Sequence, residues 1–121
     1  MIKYDSDLKI FYSTLINDSK FFGGFGTREM GDGRNIDTAI NFAQTNIPNF
    51  KTIVIPEQIH STNVTNFSAN LIDNVEKVSE TDGLITKDVN SVLTVITADC
   101  SPLIFVDKKQ EIIGIAHLGW R

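Results

Sequence analysis

At 121 residues, with 41% hydrophobic and 21% charged side chains, the chain has the size and composition of one modest globular domain rather than of a disordered segment. Eleven basic and fifteen acidic residues give a net charge of -4 and are spread along the chain, without the clustered Lys and Arg of a nucleic-acid-binding surface. No apolar run approaches the roughly 18 residues of a membrane span, and the opening MIKYDSDLKIF has Asp5 and Asp7 where a signal peptide needs an apolar stretch. The chain therefore reads as cytoplasmic, with neither nucleic acid nor membrane as a partner.

In chain order, Ile2, Tyr4, Leu8, Ile10 and Tyr12 alternate loosely, which predicts one or two strands with a turn near Asp5-Ser6-Asp7. FFGGFGTREMGDGRN, residues 21–35, holds five of the eight glycines and predicts a strand end opening into an irregular loop. NIDTAINFAQTNI predicts a helix. Asn35 or Asp37 caps it, Ile36, Ala39, Ile40, Ala43 and Ile47 recur at helical spacing, and Pro48 ends it. KTIVIPEQIH predicts a buried strand with a polar tip, and TNVTNF a short strand. NLIDNVEKVSETD is polar and carries no decisive period. DGLITK, SVLTVITAD, PLIFVD and EIIGIAHLGW predict four strands with short turns. That makes about eight strands and one helix, with no repeat, linker or low-complexity tract. The last strands are near-continuous apolar runs, as in strands buried on both faces. One helix cannot cover them, so residues 1–121 are expected to be the front part of a longer protein.

The run TADCSPLIF is unusual in placing an acid, Asp99, and the only cysteine, Cys100, inside an apolar stretch. Pro102 then stops the backbone from donating a ladder hydrogen bond two residues later. A single cysteine cannot form an intrachain disulfide, and is either a small buried hydrophobe or a ligand or nucleophile. The two histidines, His60 and His117, also follow apolar runs and precede turn-prone residues. Separations of 40 residues (60 to 100) and 17 (100 to 117) are unlike a compact zinc finger. If the three strand tips lie at one end of parallel strands, or meet across two sheets, their side chains converge. Two imidazoles and a thiolate suit Zn²⁺ or copper, and three protein ligands leave a fourth position open, as in catalytic sites.

EQIHSTNV, TDGLIT, TADCSPLIF and IIGIAHLGWR, in that order, resemble the signature blocks of the laccase-domain family, also called YfiH-type multicopper polyphenol oxidoreductases. GGFGTREMG resembles an earlier block of the same family, so the likeness runs from about residue 21 to the end. The resemblance implies an α/β (α+β) fold of layered mixed β-sheets with flanking helices, grouped with cysteine hydrolases of the cytotoxic deamidase type. It implies that His60, Cys100 and His117 hold a metal, usually zinc and in some members copper. It further implies phosphorolysis of adenosine, inosine, guanosine or methylthioadenosine to the base and ribose 1-phosphate or its methylthio analogue, with adenosine deamination as a second activity. Zinc deaminases pair the metal with a nearby Glu in an H-x-E motif; none occurs here, and Asp99 is the candidate proton carrier. Arg28 and Arg121 are candidates for binding phosphate through guanidinium forks, and Gln58 for a base edge.

The family runs to about twice this length, and the loop TREMGDGRN carries EMGDG where the family has GGVS. The chain thus corresponds to the N-terminal portion of a single laccase-like domain, expected to pair with its absent C-terminal half or with another copy. Two readings compete with the zinc enzyme. One is a metal-free Cys–His hydrolase with Cys100 as nucleophile and His117 as base. The other is an inactive truncated module that needs a partner. Laccase-type oxidation ranks last, because two histidines are too few for the centres of a multicopper oxidase.

Overall fold

The computed structural model describes residues 1–69 and 74–120. The first strands, β1 (Ile2–Asp5), β2 (Ile10–Ser13) and β3 (Gly24–Gly26), form an antiparallel sheet in that order. Asp5 shapes the β1–β2 turn by accepting from the amides of Asp7 and Leu8 at 2.9 Å each. A 3-10 turn, Arg28–Met30, leads to the helix α1 (Ile36–Asn46). Of the two residues expected to cap α1, Asn35 does so: its side chain accepts from the amide of Asp37 at 3.0 Å. Ala43 is the helix residue that is fully buried.

The remaining strands build two further sheets. β4 (Thr52–Pro56) lies between β6 (Val75–Val78) and β8 (Ser91–Leu93), parallel to both. The order β5–β7–β10–β9 makes the mixed sheet, from β5 (Val64–Phe67), β7 (Gly83–Thr86), β9 (Ser101–Asp107) and β10 (Ile112–Leu118). β5 runs parallel to β7, whereas β7–β10 and β10–β9 are antiparallel. The core sits between these two sheets, where Val54, Phe67 and Leu84 pack with Ala69, Val78, Leu93 and Ile115. The result is a mixed α+β fold with several sheets and one α-helix among the described residues, and no described helix is long and apolar enough to cross a membrane.

Three sequence expectations are revised. β6 forms within the polar stretch that had no decisive period; residues 70–73 of that stretch lie outside the described residues, as does Arg121. β8 stops at Leu93, well short of Asp99. The amide and hydroxyl of Thr94 both bond to the carbonyl of Val54, at 3.1 and 2.8 Å, and beyond that the chain leaves the ladder. Lastly, β9 is not buried on both faces. Its residues alternate, with Pro102, Ile104 and Val106 half-buried and Leu103 and Phe105 exposed by 43% and 47%. The register places Leu103, Phe105, Ile85 and Val64 together on the outer face, over Gly114 and Ala116. A Cβ at Gly114 would meet the ring of Phe105 at 2.7 Å, so the glycine makes room for that ring.

Two exposed ion pairs tie the loop after β2 to the β9–β10 hairpin: Lys108 to Asp18 at 2.7 Å and Lys20 to Glu111 at 2.6 Å. The hydrogen bond from Lys108, helped by the amides of Lys20 and Phe21, lowers the Asp18 carboxyl to about 2. Depression of this kind adds stability above the unfolded value of about 3.9 and loses it as pH falls toward the folded value. Solvent keeps such a contribution small. Titration of the Asp18 carboxyl by NMR is expected to return toward the ordinary Asp value in Lys108→Ala. In the core, Leu84→Ala is expected to cost about 3 kcal/mol, against less than about 1 kcal/mol for the half-exposed Leu103→Ala, both read from urea unfolding midpoints.

Candidate metal centre

The mixed sheet explains how residues far apart in sequence meet. β5 and β7 begin at one end of it, β10 ends there, and β9 begins there. Across that end lie, side by side, the 59–63 loop before β5, Asp82 before β7, His117 in β10 and Cys100 just before β9. The expected convergence therefore arises from two strand starts and one strand end within a single sheet, not from three parallel tips. Pro102 opposes His117 on the edge strand β9, where a missing amide donor is tolerated.

Nitrogen atoms of His60 and His117 and the sulfur of Cys100 all lie within 4.8 Å of one another. His60 Nε2 is 3.9 Å from Cys100 Sγ, and the two imidazole rings stand edge-on at a centroid distance of 4.8 Å. His117 is buried, Cys100 half-buried and His60 exposed, so the cluster opens to solvent on the His60 side. Asp99, adjacent to the thiol, is exposed, and its Oδ1 lies 3.7 Å from Cys100 Sγ.

Asp82 stands directly behind the cluster. Its Oδ1 lies 2.8 Å from His117 Nδ1 and accepts from the His60 amide at 3.0 Å. Its Oδ2 accepts from the amides of Ile59 and Ser61 at 3.1 and 2.8 Å and from the Ser61 hydroxyl at 2.8 Å. Burial alone would raise this carboxyl, but the bonds from His117, Ser61 and Ile59 outweigh it and hold the group well below the usual carboxylate range. Sequence reading missed Asp82. Its signals were its place in the TDGLIT block and a polar residue at the head of an apolar run, which is equally the mark of a turn.

Gln58, expected at a base edge, has both amide atoms on the backbone of Ile96: Nε2 donates to the carbonyl at 2.8 Å, and Oε1 accepts from the amide at 2.7 Å. This clamp holds the segment that leaves the β8 ladder and leads to Cys100. Arg28 is exposed on the 3-10 turn, and no hydrogen bond or ion pair among the described residues joins it to the cluster.

A mixed-sheet α+β domain with a His–Cys–His cluster at one sheet end defines the class of protein. The chain belongs to the multi-copper polyphenol oxidoreductase laccase family, whose profile matches residues 27–121. It is 33% identical over 117 residues to a purine nucleoside phosphorylase of Clostridium acetobutylicum, covering 91% of this chain and 47% of that protein. A purine nucleoside phosphorylase of Rickettsia prowazekii is 34% identical over 87 residues, 72% of this chain and 32% of its own length. Adenosine deaminase RL5, from an unknown prokaryotic organism, is 34% identical over 93 residues, covering 73% and 36%. Among solved structures, Bacillus licheniformis YfiH superposes with a TM-score of 0.61 at 27% identity, over 70% of this chain and 34% of that one. YlmD of Geobacillus stearothermophilus shares the fold, with a TM-score of 0.60 at 24% identity over 82% and 41%. The chain thus spans between about a third and a half of the length of these three relatives.

Gln58→Ala is expected to release the 94–100 segment locally. The Ile96 amide, without its acceptor, should exchange with solvent faster, while the amides of the Leu84 core keep their protection.

Proposed function

We propose that this chain carries the metal-binding part of a purine nucleoside phosphorylase that also deaminates adenosine, with zinc as the resident metal and copper as the alternative. The observation that supports this most is the convergence of one thiol and two imidazoles within 4.8 Å, in a chain similar over 91% of its length to a protein of that name. The donor set fits the ion. Tetrahedral zinc, with bonds of about 2.0–2.3 Å to nitrogen and sulfur, needs its donors roughly 3.3–3.6 Å apart. The 3.9 Å between His60 Nε2 and Cys100 Sγ is close to that spacing, and the set as a whole, within 4.8 Å, would have to draw in to reach it.

His60, Cys100 and His117 would hold the metal. Bound there, zinc would supply a Lewis acid and a means of activating water at neutral pH. Phosphorolysis breaks the bond from the purine nitrogen to C1′ and forms one from C1′ to a phosphate oxygen. The charge left on the base then needs a proton, and the phosphate needs cations. Asp99, exposed beside the thiol, is assigned the proton. In deamination it would carry a proton from the attacking water to the departing ammonia. Arg28 and Arg121 are assigned to phosphate. Gln58 acts through Ile96, holding the approach to Cys100. Adenosine, inosine, guanosine and methylthioadenosine are the substrates of this reading, and the relatives' further length, or a second copy, would complete the pocket.

One distance favours a second reading, a metal-free Cys–His hydrolase: the thiol lies 3.9 Å from His60 Nε2. The base in that reading would be His117, as expected from sequence, or His60, and the pair must tighten before it can transfer a proton. Metal content separates the two. Elemental analysis of purified protein is expected to find about one zinc per chain, lost in His117→Ala, with phosphate-dependent release of purine base from the loaded protein. A folded chain without metal, hydrolysing a substrate that added zinc inhibits, would replace the first reading with the second.

A further inference from the structure

We propose that Asp82 is the positioning residue of this centre: one buried carboxylate that sets the ring of His117 and the backbone of His60 together, so that both imidazoles reach Cys100 in a ligating state. The inference deepens the metal-centre reading above and rests on it for its purpose, though not for its geometry.

Asp82 is 2% exposed and serves five donors. A loop brace would need only the amides. This carboxylate also takes the ring of His117, and its own carbonyl accepts the His117 amide at 2.7 Å, so His117 is held by both backbone and side chain. An ionised carboxylate accepts and cannot donate. The ring nitrogen facing it, Nδ1, therefore carries the hydrogen, and Nε2 is left with a free lone pair for the cluster.

His60 is constrained from the other side. Its φ of 59° lies in the left-handed region, which is strained for an L-residue other than glycine. The amides of Ile59, His60 and Ser61 all point at the Asp82 carboxylate, an anion-holding concavity made by successive N–H groups. The charge at its focus offsets the strain and fixes the direction in which the His60 side chain leaves the backbone. Cys100 makes no bond to Asp82, and reaches the site through its place at the head of β9. The carboxylate thus couples the two histidines without touching the thiol. Substitution by Asn keeps the shape but leaves one acceptor oxygen and adds an amide donor that faces other donors.

Two measurements test this. In metal-free wild-type protein the ring ¹⁵N shifts of His117 are expected to show hydrogen on Nδ1, and in the neutral ring none on Nε2. A neutral ring with its hydrogen on Nε2 instead of Nδ1 overturns the proposal, whatever the metal or activity results. The second measurement is Co²⁺ titration, followed by the thiolate-to-metal absorption. Asp82→Asn is expected to bind Co²⁺ about 10–100-fold more weakly, and Ser61→Ala, which keeps the carboxylate, within a few-fold of wild type. Equal affinity in a folded Asp82→Asn overturns the proposal. If Asp82→Asn does not fold, the wild-type tautomer decides. If wild-type protein binds no Co²⁺ while His117 shows the expected tautomer, the metal reading fails and the positioning by Asp82 stands.

Discussion

The carboxylate of Asp82 is the interaction on which the functional end of this molecule depends. It is buried, it accepts from three successive amides and a hydroxyl and pairs with an imidazole, and it lies at the end of the mixed sheet where the loop before β5 meets β7 and β10. A buried charge survives only when its lone pairs are met, and here the donors that meet them belong to the residues that form the site. Folding stability and site geometry therefore draw on the same bonds. Loss of that charge would leave buried donors unpaired and the left-handed turn at His60 unsupported.

The topology supplies what no local motif could. Antiparallel pairing of β10 with both β7 and β9 puts a strand end between two strand starts, so His117 lies between Asp82 and the residues around Cys100. The parallel β5 adds the His60 loop at the same end. Residues of one sheet end are about 5 Å from their neighbours on adjacent strands, which is the spacing at which long side chains can share a ligand. The separate parallel sheet, β6–β4–β8, contributes through the Gln58 clamp that follows β4 and through the core it shares with the mixed sheet.

The same sheet is asymmetric across its thickness. Its inner face carries Phe67, Leu84 and Ile115 into the core, while Val64, Ile85, Leu103 and Phe105 stand on the outer face, more than a third exposed. The chain covers less than half the length of the relatives it resembles, and its family match runs over residues 27–121.

Much of this was legible in the sequence. The helix could be read because Asn35 and the spacing of Ile36, Ala39, Ile40 and Ala43 are local signals, and most strands because short apolar runs between turn residues need no distant partner to be recognised. The three ligands could be singled out because a thiol and two imidazoles are rare enough in this chain to stand out. The tertiary structure alone decided how they meet, since a strand's neighbours and direction depend on pairings tens of residues away. It also decided that β9 is an edge strand with one bare face, and that β6 forms in a polar stretch whose partner, β4, is remote. Asp82 shows the difference most clearly. In sequence it is one acid among fifteen, and it acquires its role only when two separate segments, residues 59–61 and His117, close around it.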